Sequence, residues 1–164
     1  MRGGKRLQLP ITGGDTMTGA EFLHQLTAAD FSLAGDRHSV LLFRGEEEYW
    51  ANRSLKLIKK RFFPEGEGEF NLTELDGSSL SQGDITVALS SPPFLFPIRL
   101  VILRKLEKLK AAFDNDLLRG LSSMASGVIL VVITTSTDRR RKAIKELVNR
   151  ALVIDCQPFK PYQA

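Results

Sequence analysis

The chain of 164 residues is 43% hydrophobic and 26% charged, a balance that excludes a disordered tail or a membrane-embedded bundle and fits one globular domain. Its net charge is +4, of which Arg2, Lys5 and Arg6 supply +3, leaving +1 for residues 7–164 and little charge-based case for nucleic-acid binding. A single cysteine, Cys156, rules out an intrachain disulfide and a cysteine-built zinc site and suits a reducing, cytoplasmic compartment.

In chain order, residues 1–16, MRGGKRLQLPITGGDT, read as a flexible leader without the apolar segment of a signal peptide, and residues 17–164 as the folded domain. MTGAEFLHQLTAADF predicts a short helix with Phe22, Leu23 and Leu26 inward, and SVLLFRG a buried strand ended by Gly45. The next segment opens with Glu46, Glu47 and Glu48 and closes with Lys59, Lys60 and Arg61, the charge order that complements a helix macrodipole. Ala51, Leu55, Ile58 and Phe62 give that helix one apolar face, and Pro64 stops it. EFNLTELDG reads as a second strand with an Asp76-Gly77 turn, and SLSQGDITVAL as a helix capped by Ser79 or Ser81. RLVILRKL is the third strand, KAAFDNDLLRGLSSMA a helix, and GVILVVITT a fourth strand, too short to cross a bilayer. DRRRKAIKELVNR follows as a helix burying Ile144, Leu147, Val148 and Ala151, and ALVIDCQPF is the fifth strand. Five alternations of strand and helix predict an α/β fold of three layers, with a mostly parallel five-stranded sheet between helices.

Such sheets bind ligands beyond the carboxyl ends of their strands, so the first strand-to-helix turn is the place to look for chemistry. Here it reads FRGEEEYW, without the glycines and lysine of a phosphate-binding loop, and its three glutamates repel phosphate. The third strand ends in Arg104-Lys105, the wrong sign for holding Mg²⁺. His24 sits on a short helix and His38 in a polar turn, neither near a second ligand in sequence, and Cys156 lies in an apolar strand as an inert thiol. No catalytic residue, cofactor or metal site is expected.

Two stretches remain. PPFLFP, residues 92–97, sets Phe94, Leu95 and Phe96 between prolines. It is either a satellite of the core or a pre-ordered apolar anchor for a partner. TSTDRRRKAIKELVNR places Arg139, Arg140, Arg141 and Lys142 at a helix start, with Asp138 or Thr137 as cap; this is either a solvated face or a contact with another subunit or DNA. A nucleic-acid-binding α/β domain using Arg139–Lys142 is the alternative function, weakened by the absence of aromatic neighbours in that helix. A doubly wound phosphotransferase is disfavoured by the missing phosphate loop.

Taken in order, SVLLFRGEEEYW, EFNLTELDGSSLSQGDITVALSSPPFLFPIRLVILRKLEKL and GVILVVITTSTDRRRKAIKELVNRALVIDCQPF resemble the delta subunit of bacterial DNA polymerase III, a clamp-loader component. The resemblance implies an AAA+-like, P-loop NTPase-type domain that has lost its phosphate loop and has no catalytic site of its own. It implies the beta sliding clamp as partner, gripped by a Leu-Phe pair that matches Leu95 and Phe96, with Phe94 beside them. This chain departs from the family by a second proline before the pair and by Pro97 after it. Delta subunits are about twice this length, so the resemblance implies an isolated, monomeric first domain without lid or collar. Other clamp-loader subunits, and DNA through the complex, would be met by the full-length protein.

Overall fold

The computed structural model describes residues 16–27, 39–64 and 68–158. Among them, the apolar strand segments form one parallel sheet of six strands: β1 (Thr16–Thr18), β2 (Ser39–Arg44), β3 (Leu72–Asp76), β4 (Arg99–Arg104), β5 (Val128–Thr134) and β6 (Leu152–Asp155). Their order is β1-β6-β2-β5-β4-β3, and every pairing is parallel. Five helices join them: α1 (Gly19–Thr27), α2 (Glu48–Phe62), α3 (Asp84–Ser90), α4 (Asp114–Ser122) and α5 (Lys142–Arg150).

Alternation along each central strand divides the core into two layers, because successive side chains leave a strand on opposite faces. Val40, Leu42, Val101, Leu103, Leu130 and Val132 pack beneath α3, α4 and α5. Leu41, Phe43, Leu100, Ile102, Ile129 and Val131 pack beneath α1 and α2, where Phe22 meets Phe43 edge to face at 5.6 Å. Covered on both faces, β4 and β5 are almost continuously apolar and buried. The expected three-layer α/β fold is present.

The sheet has six strands rather than five. Thr16, Met17 and Thr18, read from sequence as the end of a leader and the start of a helix, pair instead with Val153, Ile154 and Asp155. Half-buried Met17 packs on the α1/α2 layer, and Thr18 then exchanges hydrogen bonds with Glu21, each backbone N–H reaching the other's side-chain oxygen, so the helix begins only at Gly19. Residues 1–15 and His38 lie outside the described residues.

Three helix starts also differ from expectation. Neither Ser79 nor Ser81 caps α3; its N-cap is Gly83, and the helix-start donors are met by the buried Asp116 of α4. The fourth helix begins at Asp114, after a 3-10 turn over Ala111–Phe113. The triple arginine precedes α5 rather than filling its first turn, with Arg141 as N-cap and Lys142 as the first helical residue. A glycine-led 3-10 turn, Gly68–Asn71, likewise takes the beginning of the expected second strand.

Candidate functional site

Two places have the composition of a site: the crevice beyond the strand ends and the loop between α3 and β4. The crevice is a cleft of about 420 Å³ lined by Gly45–Glu48 after β2, Arg104, Lys105 and Glu107 at and beyond the end of β4, Thr134 and Thr135 at the end of β5, and Cys156 after β6. Several of its backbone donors are already committed. Gly45 N–H donates to Thr134 O at 3.0 Å and Glu47 N–H to Cys156 O at 3.1 Å. Gly45 has φ +142°, and a Cβ there would lie 2.1 Å from the Cys156 carbonyl oxygen, so only glycine fits this corner. At the start of α2 the Glu47 carboxylate accepts from Tyr49 N–H at 3.0 Å, placing the chain's own anion where a phosphate-binding helix would receive its ligand.

The basic strand end is spent in the same way. Arg104 Nη2 lies 3.7 Å from Glu74 Oε1 and Lys105 Nζ 3.7 Å from Asp76 Oδ2, both on β3. Glu107 accepts from the Thr134 hydroxyl and the Thr135 N–H. Cys156 is 2% exposed, and burial, reinforced by nearby Asp155, pushes its thiol up to about 12. Exposed His24 stands alone on α1, and no group of three or more metal-binding side chains occurs among the described residues.

The basic helix start divides. Arg139 and Lys142 are exposed. Arg140 pairs with Asp138 at 2.9 Å, and hydrogen bonds from the Arg140 side chain and backbone hold the Asp138 carboxyl below its ordinary range. Arg141 is structural: its guanidinium bonds the Asp114 carboxylate and donates to Leu109 O at 2.8 Å, tying α5 to the start of α4. Of the four residues, Arg139 and Lys142 are the exposed cations without a described ion pair, while Arg140 and Arg141 are held by carboxylates.

The loop over residues 91–98 is built from both sides. Asn71, wholly buried at the end of the 3-10 turn, accepts from Phe94 N–H at 2.6 Å and donates to Phe94 O at 2.7 Å. Arg99 Nη1 donates to Phe70 O at 2.9 Å and Nη2 to Thr73 Oγ1 at 2.6 Å, bracing the same turn against β4. On the other flank Gly127, at φ +85°, lets the loop close on β5. A Cβ there would lie 2.8 Å from Pro93 Cγ and 2.9 Å from Pro97 O. Between these supports Leu95 adopts φ +64°, a left-handed conformation that costs a leucine roughly 1–2 kcal/mol.

The strained residue is also the most exposed large apolar side chain of the loop: Leu95 is 85% exposed and Phe94 59%. Phe96 departs from expectation. It is half-buried, stacked edge to face on Phe63 at 5.8 Å and packed on the α1/α2 layer. The loop therefore combines both readings open from sequence, with Phe96 in a satellite of the core and Phe94 and Leu95 presented. Sequence reasoning missed Phe70, 77% exposed, whose ring meets Phe94 edge to face at 6.4 Å. It also missed Asn71; an asparagine ahead of a strand, followed at a distance by a proline-framed loop, was the only signal.

Comparison with solved structures finds the same fold. The DNA clamp loader delta protein of Bacillus subtilis superposes with a TM-score of 0.62 at 19% identity, over 86% of this chain and 42% of that one. A DNA polymerase III gamma subunit-related protein of Thermotoga maritima superposes at 0.57 with 18% identity, over 88% of this chain and 47% of that one. The chain thus spans less than half the length of either relative. None of the curated proteins compared with it matches. The family model described as DNA polymerase III, delta subunit, matches residues 41–157, taking in the β2–α2 corner, the α3–β4 loop and the β5–α5 connection. With most of its length inside that match, the chain belongs to the DNA polymerase III delta subunit family.

Proposed function

We propose that this domain serves replication by docking on the sliding clamp through the α3–β4 loop, with Leu95 and Phe94 as the inserted side chains and Phe96 as their footing. The observation that carries the reading is Leu95: a large apolar side chain, 85% exposed, on backbone that leucine disfavours. Strain of that kind persists only where surrounding contacts impose it, and buried Asn71 grips both backbone polar groups of the preceding residue, Phe94. An apolar tip already fixed in shape loses little conformational entropy on association. Burying Phe94 and Leu95 contributes roughly 3–6 kcal/mol before association costs, a scale suited to a grip that must also release.

The domain contributes no nucleotide chemistry of its own in this proposal. Gly45 and Glu47 have given their N–H groups to Thr134 and Cys156, and the Glu47 carboxylate sits at the start of α2. ATP binding and hydrolysis fall to other clamp-loader subunits, which the full-length protein meets through parts beyond this domain. Arg139 and Lys142, the cations left without a described ion pair at the α5 start, are the residues there to be tried for a subunit or DNA contact.

The test is clamp binding by surface plasmon resonance with wild-type chain and Leu95→Ala. Loss of binding with an unchanged melting temperature supports the proposal. Binding of Leu95→Ala at wild-type strength refutes it.

A further inference from the structure

Phe70 belongs to a different segment from the loop, 24 positions before Phe94, yet the fold sets the two rings edge to face at 6.4 Å. It is 77% exposed, more than any core role allows, and it packs on nothing in either core layer. Its backbone is held all the same. Arg99 Nη1 bonds the Phe70 carbonyl, and the next residue, Asn71, grips both backbone polar groups of Phe94. Phe70, Phe94 and Leu95 thus form one continuous apolar surface on two tethered chain segments. Contiguous exposed aromatic side chains on a soluble domain mark contact surfaces.

We infer that Phe70 is a second anchor for the same partner that takes the loop tip, so that the clamp is gripped by a two-segment surface rather than by the loop alone. This inference rests on the clamp-docking proposal and extends it to a residue outside the 92–97 loop. The partner chemistry is an apolar pocket on the clamp with room for an aromatic ring beside the one that receives Leu95. Continuity with the loop tip favours the clamp as occupant, since the Phe70 ring packs on Phe94 itself, one of the two side chains the loop proposal inserts. Asn71 acts as the positioning residue: by fixing Phe94 from the segment that carries Phe70, it sets the spacing of the two anchors.

The test compares purified clamp binding to wild-type chain, Phe70→Ala, Phe70→Leu and Leu95→Ala, with melting temperatures measured alongside. Phe70→Ala is expected to weaken binding about tenfold, mainly through faster dissociation, with an unchanged melting temperature. Phe70→Leu is expected to recover most of that loss, which a role confined to folding would not predict. Wild-type affinity of Phe70→Ala, while Leu95→Ala loses binding, overturns this inference and leaves the loop proposal standing. Wild-type affinity of Leu95→Ala overturns the loop proposal and this inference with it. If the patch pairs two copies instead, wild-type chain sediments as a dimer without clamp and Phe70→Ala as a monomer, and the assignment to the clamp falls.

Discussion

Asp116 of α4 caps α3: its Oδ1 accepts from both the hydroxyl (2.6 Å) and the N–H (3.0 Å) of Thr86, and its Oδ2 from the N–H groups of Gly83 and Ile85. A helix normally meets its first free donors with its own N-cap side chain, and here Gly83 has none to offer. A carboxylate 2% exposed thus fixes α3 against α4, and α3 in turn delivers the chain into the 91–98 loop.

Asp116→Ala should accordingly be among the most damaging polar truncations in the domain. It strips acceptors from three backbone donors and one hydroxyl, for a cost of about 2–4 kcal/mol. Urea denaturation checks this, and a loss below about 1 kcal/mol would show that water replaces the carboxylate without penalty.

The arginines before α5 should behave unequally. Arg141→Gln breaks the bonds to Asp114 and Leu109 O and leaves a partly buried carboxylate unpaired, for about 1–3 kcal/mol. Exposed Arg139→Gln should leave the thermal midpoint where it is. Equal midpoints for the two variants would contradict the division drawn between them.

Cys156 should make the fold sensitive to strong base. Its thiol, ordinarily near 9.0, is raised to about 12 by burial, so between those values the unfolded chain has lost a proton that the folded chain keeps. Stability from this group is complete below pH 9 and is lost as pH rises toward 12. Cys156→Ala should flatten that part of the pH–stability curve. At pH 8 the native thiol should resist a disulfide reagent until the domain is unfolded, and rapid stoichiometric labelling of folded protein would falsify its burial.

Mg-ATP should give no heat in calorimetry, because the β2–α2 corner commits the Gly45, Glu47 and Tyr49 N–H groups within the chain and sets three glutamates where phosphate would lie. Micromolar binding at that cleft would mean that the corner rearranges and that the proposed division of labour is wrong.

Much of this architecture was legible in the sequence because it rests on periodicity. Continuous apolar runs marked β2, β4 and β5, and the acid-to-base order from Glu46 to Arg61 marked α2. What escaped was set by partners distant along the chain. Asp116 lies 30 residues from Thr86, Asn71 23 from Phe94, and Arg141 27 from Asp114, so nothing local distinguishes them from solvated polar residues. The arginine run was placed one turn too far into α5 for the same reason: Arg141 is part-buried against Asp114 and serves as the N-cap. The loop was recognised from its prolines, but the split between presented Leu95 and footed Phe96 depends on Phe63 arriving from the end of α2. The Thr18–Glu21 box was readable from its spacing, and with it the true start of α1.

Gly127 gives the loop a mechanical character. Where it allows Pro93 and Pro97 to close on the start of β5, its carbonyl also accepts from Arg99 N–H at 3.0 Å, joining the loop's exit to the first rung between β4 and β5. A pull on Leu95 is therefore not absorbed by a slack connection. It passes through Pro97 and buried Ile98 into two central strands, whose rungs share the load from Arg99–Val128 to Arg104–Ile133. Interiors this closely packed transmit strain rather than dissipate it. The tip is thus seated on the sheet itself, with only Pro97 and buried Ile98 between Phe96 and the first rung of β4.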